Sequence, residues 1–413
     1  MSRVTTKLLS PPDAVITGCV LGLMCFSVLM VYSASVSVAE VRYHDPLRII
    51  RHWLFYIPVG MVIMWGLSRI EVTWWRAIAV PVLGIALTLM LAVLIPGIGK
   101  EINGAQRWFS LLGLTLQPVE LLKPAVIIYM AYYMGSFPER LTRFSTGLAP
   151  MLVVLGVALA LLLLQPDFGS AILISVVCFA LWFVGGVPIR HLSVLVLSFV
   201  PLAAMAMMAA PYRVQRLTSF MDPWNDPLGS DYQLIQSMIA FGSGGLFGTG
   251  LGQGVQKLFY LPEVFTDFIS ASIGEELGLI GTLSIILVFS VLLGRGIWLA
   301  IRCGDMFSKL LIMGCVVVLG TALMINLGAA MGLLPTKGMP LPFISYGGSA
   351  LLGECVLIGL VLSVQRHQPG NKRIEKRAAK SKTIRSRMRS TSRKRANKTA
   401  VMAAADQGLE HLF

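Results

Sequence analysis

The sequence predicts an all-α, polytopic integral membrane protein with about ten transmembrane helices and a large extracytoplasmic loop between spans seven and eight. Two observations lead to this fold class. The first is composition: of 413 residues, 56% are hydrophobic and only 13% are charged, whereas soluble chains carry about 25% charged residues. The second is the recurrence of apolar runs of about 20 residues, the length that crosses a bilayer as a helix. Lipid is therefore the predicted solvent for most of the chain.

The apolar runs define the predicted spans, which are approximately 14–38, 50–68, 75–96, 117–135, 147–164, 168–187, 191–210, 270–300, 308–333 and 343–364. The first run is longer than the apolar region of a cleaved signal peptide and should remain as an anchor. An even number of spans places both termini on one side. Because Lys and Arg concentrate after the last span, the positive-inside rule predicts that this side is the cytoplasm.

The charge divides the chain into three predicted regions: a cytoplasmic N-terminus (1–13), a transmembrane domain (14–365) and a basic tail (366–413). The tail contains fourteen Lys or Arg and three acids, so it holds +11 of the net charge of +14. It has almost no large apolar residues and should be disordered. Its position beside the last span favours binding to anionic membrane lipids, and we expect no nucleic-acid partner.

Two connections are longer than neighbouring helices require. The segment 97–116 mixes Gly, Pro and polar residues with Trp108 and Phe109, which is typical of a membrane interface. The segment 211–269 is the long extracytoplasmic loop, and long ordered loops are usually functional. Six cysteines occur without a C-x-x-C pair, and we interpret them as small core hydrophobes.

Charged residues inside the spans are the candidates for function. Glu120 and Lys123 are three residues apart and share one helix face. Asp167 lies between two apolar runs, and Glu354 lies inside the last span. Two interpretations stay open: a buried ion pair that fixes helix register, or a polar cavity between helices, since intramembrane charges often line a substrate path.

The glycine-rich stretch 242–254 fits neither dinucleotide nor P-loop spacing, so its glycines indicate a close approach of backbone segments. Acidic residues follow it. Glu275 and Glu276 are interpreted as charges that cap a helix N-terminus, and Lys257 as an exposed lysine. Asp267 differs, because Phe265, Phe268 and Ile269 give it apolar surroundings that suit a carboxylate for accepting a proton from a hydroxyl.

Several long motifs together resemble the SEDS family (shape, elongation, division and sporulation), bacterial membrane proteins that build peptidoglycan. The motifs occur in family order: NGAQRWF, QPVELLKPA, QPDFGSA, PYRVQRLTSFMDPWNDPLGSDYQLIQS, FGSGGLFGTGLGQGVQKLFYLPE, TDFISASIGEELG and LLPTKGMPLPFISYGGSALL. Within the family they resemble the division branch more than the elongation branch. Where the family often has His and Phe, this chain has Phe265 and Ser270.

The resemblance implies ten helices, cytoplasmic termini and an inner-membrane enzyme at the division septum, which polymerises lipid II beside a class B penicillin-binding protein and regulatory divisome subunits. It implies that Asp267 is catalytic. The residues expected to line the substrate cavity are Glu120, Lys123, Asp167, Arg213, Arg216, Glu263 and Ser345.

Chemistry assigns roles to these groups. The acceptor 4-hydroxyl attacks the anomeric carbon of the donor and the pyrophosphate leaves with inversion, so one general base is needed, and Asp267 is the candidate. The leaving pyrophosphate needs positive charge from Lys123, Arg213 or Arg216, or from a divalent cation such as Mg²⁺ or Mn²⁺. No metal motif is recognisable in the sequence.

Two rival functions use the same features differently. A lipid II flippase needs an apolar groove with alternating access and no catalytic base, and inverted repeats, typical of that class, are not evident. A non-catalytic division scaffold needs only the long loop and the charged tail, and it leaves the intramembrane charges with structural duties alone.

Overall fold

The structure is a computed structural model. It describes residues 10–102, 104–111, 114–208, 222–227, 229, 231–258, 260–335 and 338–367. The candidate cavity residues Arg213 and Arg216, and the basic tail from residue 368 onward, lie outside these ranges. Pro12–Gln365 forms one compact unit.

The N-terminal half is built from helices that follow the apolar runs. Asp13 caps the first helix, since its carboxylate accepts hydrogen bonds from the backbone of Val15 and Ile16. The helices are α1 (Ala14–Tyr43), α2 (Arg48–Leu67), α3 (Val72–Ala77), α4 (Ala79–Ala92), α5 (Val119–Ser136), α6 (Ala149–Leu164), α7 (Phe168–Val184) and α8 (Ile189–Met208).

The C-terminal half contains longer helices. They are α9 (Tyr232–Gly244), α10 (Ile269–Ile301), α11 (Met306–Ala330) and α12 (Gly348–His367). α11 is the central element of this half, because it packs against α10, α5 and α7. α10 also contacts α1 and α9, so it links the first helix to the segment that precedes it in the chain.

A small antiparallel sheet lies between α4 and α5, where the sequence predicted only an interfacial segment. Its strands are β1 (Lys100–Ile102), β2 (Ala105–Leu111) and β3 (Leu114–Leu116), in the order β1-β2-β3. Ile102 pairs with Ala105 across the first turn, and Gly104 has a φ of +74°. The positive φ of Gly104 is one that glycine adopts readily, and the sequence at 103–104 reads Asn-Gly, a pair typical of tight hairpin turns.

The outer surface confirms a polytopic membrane fold. Large apolar side chains face outward, among them Leu197 (73% exposed) and Leu287 (63% exposed); such a surface suits hydrocarbon rather than water. Among the described residues, six helices are long and apolar enough to cross a membrane by length and composition, and α4, α7 and Ile189–Leu202 of α8 are shorter apolar segments. The mainly helical polytopic class is confirmed, and the count of ten spans stays a prediction.

Candidate functional site

Asp267 lies just before the start of α10, a helix that is broken further along at Gly278. Gly278, inside that helix, has φ 66° and ψ −161°, so α10 consists of a first half, Ile269–Leu277, and a longer second half. Asp267 is half-buried at the start of the first half. Discontinuous helices place polar backbone and side-chain groups at membrane depth, where ligand sites of membrane proteins often form.

Asn326 of α11 holds the backbone of Asp267 in place. Its Nδ2 donates to the Asp267 carbonyl at 2.9 Å and to the Met339 carbonyl at 2.8 Å. Gly338 lies close to the side chain, since a Cβ built there would be 2.8 Å from Oδ2 of Asp267. The carboxylate of Asp267 therefore packs against the backbone of the segment 338–347, which we call the α11–α12 linker.

The far end of the α11–α12 linker contacts a second carboxylate. Oε2 of Glu354, buried in α12, accepts the backbone N–H of Phe343 at 2.7 Å. Phe343 has a φ of +60°, a left-handed conformation that is costly for a bulky residue, and this hydrogen bond stabilises it. Ser345 is buried, and its Oγ accepts the N–H of Leu341 at 2.7 Å, so that hydroxyl supports the turn of the linker.

Glu120 and Lys123 form an ion pair, the first of the two arrangements that the sequence left open. Nζ of Lys123 lies 2.6 Å from Oε1 of Glu120, with side chains 13% and 10% exposed. A Cβ on Gly353 would lie 2.7 Å from Oε2 of Glu120, so α5 and α12 lie close together beside Glu354. The α11–α12 linker thus connects Asp267 to a cluster of two carboxylates and one lysine.

Asp167 is used differently. It caps α7, because Oδ1 accepts the N–H of Ser170 at 3.2 Å and Oδ2 accepts its hydroxyl at 2.7 Å. Arg107 of β2 donates to the carbonyls of Gln165 and Pro166 and fixes the chain just before this cap. These contacts give Asp167 a structural role, and its place in the substrate cavity stays a prediction.

Glu263 lies in the turn that leads to Asp267. It has a φ of +54°, and Oγ1 of Thr266 donates to its carbonyl and to its Oε2, each at 3.0 Å. The structure also describes the two residues that depart from the family pattern. Phe265 packs edge-on against Tyr346, with ring centroids 5.7 Å apart. Ser270 is buried, and among the described residues its hydroxyl has no hydrogen-bond partner.

The interpretation of Glu275 and Glu276 as N-terminal caps was wrong. α10 begins at Ile269, so both lie in its second turn, and they are 2% and 0% exposed. Glu275 accepts the backbone N–H of Val255 at 2.7 Å and that of Gln256 at 3.2 Å. Their carboxylates bind the glycine-rich segment rather than a helix end.

Lys257 is not the exposed lysine that the sequence suggested. It is 6% exposed, and its Nζ lies 2.7 Å from Oε1 of Glu276 and 2.9 Å from Oγ of Ser33. Ser33 also donates to Glu276, and the N–H of Gly252 donates to Oε2 of Glu276 at 2.9 Å. No local sequence pattern indicates this network, because its hydrogen-bonded pairs lie 19 to 243 residues apart.

An apolar cavity of about 690 Å³ lies between α1 and α10. Gly22 and Phe26 line it from α1, and Leu277 and Gly281 from either side of the helix break. Leu277 is ten residues after Asp267, which corresponds to about 15 Å along a helix. The cavity is therefore separate from the carboxylate, although one short half-helix connects them.

A divalent cation was one of the sources of positive charge that the sequence analysis left open, with no ligands assigned to it. Within the described ranges, no group of three or more His, Cys, Asp or Glu side chains is placed to hold a metal ion. The divalent cation stays an open prediction.

Comparison with known proteins gives consistent matches over nearly the whole helical unit. The family of cell cycle proteins named for FtsW, RodA and SpoVE matches residues 13–370. A probable peptidoglycan glycosyltransferase FtsW of Geobacter metallireducens is 42% identical over 368 residues, covering 89% of this chain and 98% of the relative. The stage V sporulation protein E of Bacillus subtilis is 38% identical, covering 88% and 99%.

Solved structures agree. A peptidoglycan synthase complex, described as coordinating polymerization and crosslinking, contains a chain with a TM-score of 0.71 and 28% identity. That match covers 86% of this chain and 99% of the other. A crystal structure of the rod shape determining protein RodA of Thermus thermophilus matches with a TM-score of 0.64 and 26% identity, covering 86% and 98%.

Proposed function

The chain belongs to the FtsW, RodA and SpoVE family of cell cycle proteins, also known as the SEDS family, and from this premise we propose that it is a peptidoglycan glycosyltransferase of bacterial cell division. The reaction is the polymerisation of lipid II into glycan strands. Its relatives named FtsW support the division role, and the family and the apolar helices make the chain a multi-pass membrane protein.

The observation that carries the proposal is the position of Asp267 at the start of a half-helix, against the α11–α12 linker. Its backbone is fixed by Asn326 and its carboxylate packs on Gly338, so the reactive group is held in one place. A positioned carboxylate can take the proton of the attacking 4-hydroxyl as the bond to the anomeric carbon forms. Inversion requires one such base and no covalent intermediate.

The substrate has two parts that need different surroundings. Its polyprenyl chain is apolar, and the cavity between α1 and α10 offers apolar walls of suitable chemistry. Its pyrophosphate is anionic and needs positive charge at the reacting end. Lys123 is paired with Glu120, which compensates its charge. The sequence offered Lys123, Arg213, Arg216 or a divalent cation for this charge; of these we assign the pyrophosphate contact to Arg213 and Arg216, with Lys123 as a weaker contributor.

Partners and location follow from the same premise. A structural neighbour belongs to a complex that combines polymerization with crosslinking. We propose that this chain works with a class B penicillin-binding protein and further divisome subunits at the septum of the cytoplasmic membrane, with segment 222–268 on the outer side.

The decisive experiment is lipid II polymerisation by the purified protein, with and without its cognate transpeptidase. Asp267→Asn keeps the size of the side chain but cannot accept the proton, so the chemical step should slow by about 10²–10⁴-fold. Binding of lipid II and of the transpeptidase should persist, because neither needs the proton transfer.

The outcomes separate the rival functions. A flippase moves lipid II across a bilayer without forming glycan, and a scaffold supports division without doing either. Near-normal glycan synthesis by Asp267→Asn would overturn the assignment of the base. If the parent protein did not polymerise lipid II with its partner present, the assignment of enzymatic activity would be overturned.

A further inference from the structure

The glycine-rich segment 245–257, here called the strap, fills the break in α10. In a continuous helix the N–H groups of Leu279 and Ile280 would bond to the carbonyls of Glu275 and Glu276. Here these four groups bond to the strap instead. The N–H groups of Leu279 and Ile280 donate to the carbonyls of Gly245 and Leu246, while the carbonyls of Glu275 and Glu276 accept from Thr249 and Gly250, at 2.9–3.2 Å.

Only glycine permits this contact at its closest points. Gly248 has a φ of +82°, and a Cβ built there would lie 2.1 Å from the carbonyl oxygen of Glu276. A Cβ on Gly278 would lie 2.4 Å from the N of Gly248. The strap backbone therefore lies directly against the helix backbone, and it satisfies the polar groups that the break would leave without partners.

Side chains then fasten the far end of the strap. The carboxylate of Glu275 accepts two strap N–H groups, and that of Glu276 accepts one strap N–H and pairs with Lys257. Ser33 of α1 bonds to both Glu276 and Lys257. The carboxylates are fully buried, so each depends on these donors, and the strap in turn depends on the carboxylates.

We infer that Glu275 and Glu276 are positioning residues for Asp267: they fasten the strap across the break in α10 and thereby fix the half-helix Ile269–Leu277, at whose start Asp267 lies. The inference rests on the proposed function, since it assigns the purpose of the strap to the reaction at Asp267. About 14 Å of helix separates Glu276 from Asp267, too far for Glu276 to touch the same reacting atoms.

The half-helix Ile269–Leu277 connects the strap to Asp267. It is only nine residues long, and a helix this short is marginal unless it is held at its ends. Asn326 fixes its first end beside Asp267, and the strap fixes its last end. Release of the last end lets the half-helix move, and a shift of about 1 Å in a reacting group can cost about 10²-fold in rate.

The test compares Glu276→Gln with the parent, using the full chain with its transpeptidase. Lys257 is the only Lys or Arg between Arg216 and Arg295, so tryptic cleavage after Lys257 reports release of the strap. Glu276→Gln leaves Lys257 buried without its counter-charge, and cleavage should accelerate at least about tenfold. Turnover per lipid II binding site should fall about 10–100-fold, with lipid II affinity within about twofold.

Turnover per lipid II binding site distinguishes a positioning role of Glu276 from a role in the stability of the fold alone. If Glu276 only stabilised the fold, the substitution would reduce the number of binding sites and leave turnover per site unchanged. Ser33→Ala is the milder second variant, which keeps the ion pair and should move both readouts in the same direction by a few-fold. Glu139→Gln, an exposed carboxylate away from the strap, is the matched control.

Three results for Glu276→Gln would overturn the inference. In the first, cleavage after Lys257 accelerates but turnover per site stays normal. In the second, cleavage stays slow and turnover stays normal. In the third, cleavage stays slow but turnover is lost, which would mean that Glu276 acts on the reaction directly. Failure of the proposed function would show in a different result: the parent protein would not polymerise lipid II, or Asp267→Asn would remain active. In that case cleavage after Lys257 still tests whether Glu276 fastens the strap.

Discussion

Because the strap packs closely against α10, two similar glycine-to-alanine substitutions should lower the free energy of unfolding by unequal amounts. Gly248 and Gly252 have φ of +82° and +80°, so alanine at either position carries the same left-handed backbone cost, about 1–2 kcal/mol. They differ in their surroundings. A Cβ on Gly252 meets nothing within 4 Å, whereas one on Gly248 would lie 2.1 Å from the Glu276 carbonyl oxygen and 2.6 Å from the N of Leu277.

The extra cost at Gly248 follows from what must move. The obstructing atoms belong to helix backbone, so no side-chain rotation relieves the overlap and the strap itself must shift. The shift endangers the bonds from Thr249 to Glu275 and from Gly250 to Glu276. Each buried group left unpaired costs about 1–3 kcal/mol. Gly248→Ala should therefore be about 2–4 kcal/mol less stable than Gly252→Ala.

Unfolding of the detergent-solubilised protein, followed by denaturant titration, measures this difference. Tryptic cleavage after Lys257 gives a local readout, and it should accelerate in Gly248→Ala and stay slow in Gly252→Ala. Stabilities within about 0.5 kcal/mol of each other, the spread of ordinary surface substitutions, would refute the close approach of the strap to α10.

Two further predictions concern the charges. Lys123→Met leaves Glu120 buried without its partner and should cost about 3–5 kcal/mol in unfolding experiments, whereas Lys100→Met, at an exposed strand position, should cost under about 0.5 kcal/mol; equal tolerance would show that Lys123 needs no partner. Deletion of 370–413 should leave polymerisation in detergent intact and weaken binding to anionic vesicles, by about 1 kcal/mol per basic residue near the surface. Loss of activity in detergent would assign the tail a role beyond membrane binding.

Much of the architecture was accessible from the sequence because lipid imposes one dominant rule. A span must be apolar and about 20 residues long, so runs such as 14–38 and 308–333 identify their helices directly. The small sheet at 100–116 was missed although its turn signal, Asn103-Gly104, was present. The strand before this turn, β1, has only three residues, and so short a strand shows too little alternation to outweigh the Gly and Pro of an apparent loop.

The sequence indicates contacts between charged residues that are close along one helix, but not contacts between residues that are far apart in the chain. Glu120 and Lys123 lie one helical turn apart, so the spacing alone placed both on one helix face, where the structure describes an ion pair at 2.6 Å. Glu276, Lys257 and Ser33 come from three separate segments of the chain. No periodicity links such residues, and a lysine outside an apolar run has the same sequence context whether it faces water or a buried carboxylate.

The error over Glu275 and Glu276 shows which physical test would have corrected it. A capping carboxylate belongs to the first turn, where unpaired N–H groups are available, but these residues lie in the second turn of an apolar helix, where an unbroken backbone offers no donors. Two adjacent buried carboxylates without donors would each cost several kcal/mol. Such a pair therefore requires donors from elsewhere in the chain. The following Gly278 permits a break, and the preceding glycine-rich segment can approach closely enough to supply backbone N–H groups. A broken helix with a strap is thus indicated by three features together: two adjacent carboxylates, a glycine two residues later, and a glycine-rich segment upstream. Each feature alone has a commoner explanation.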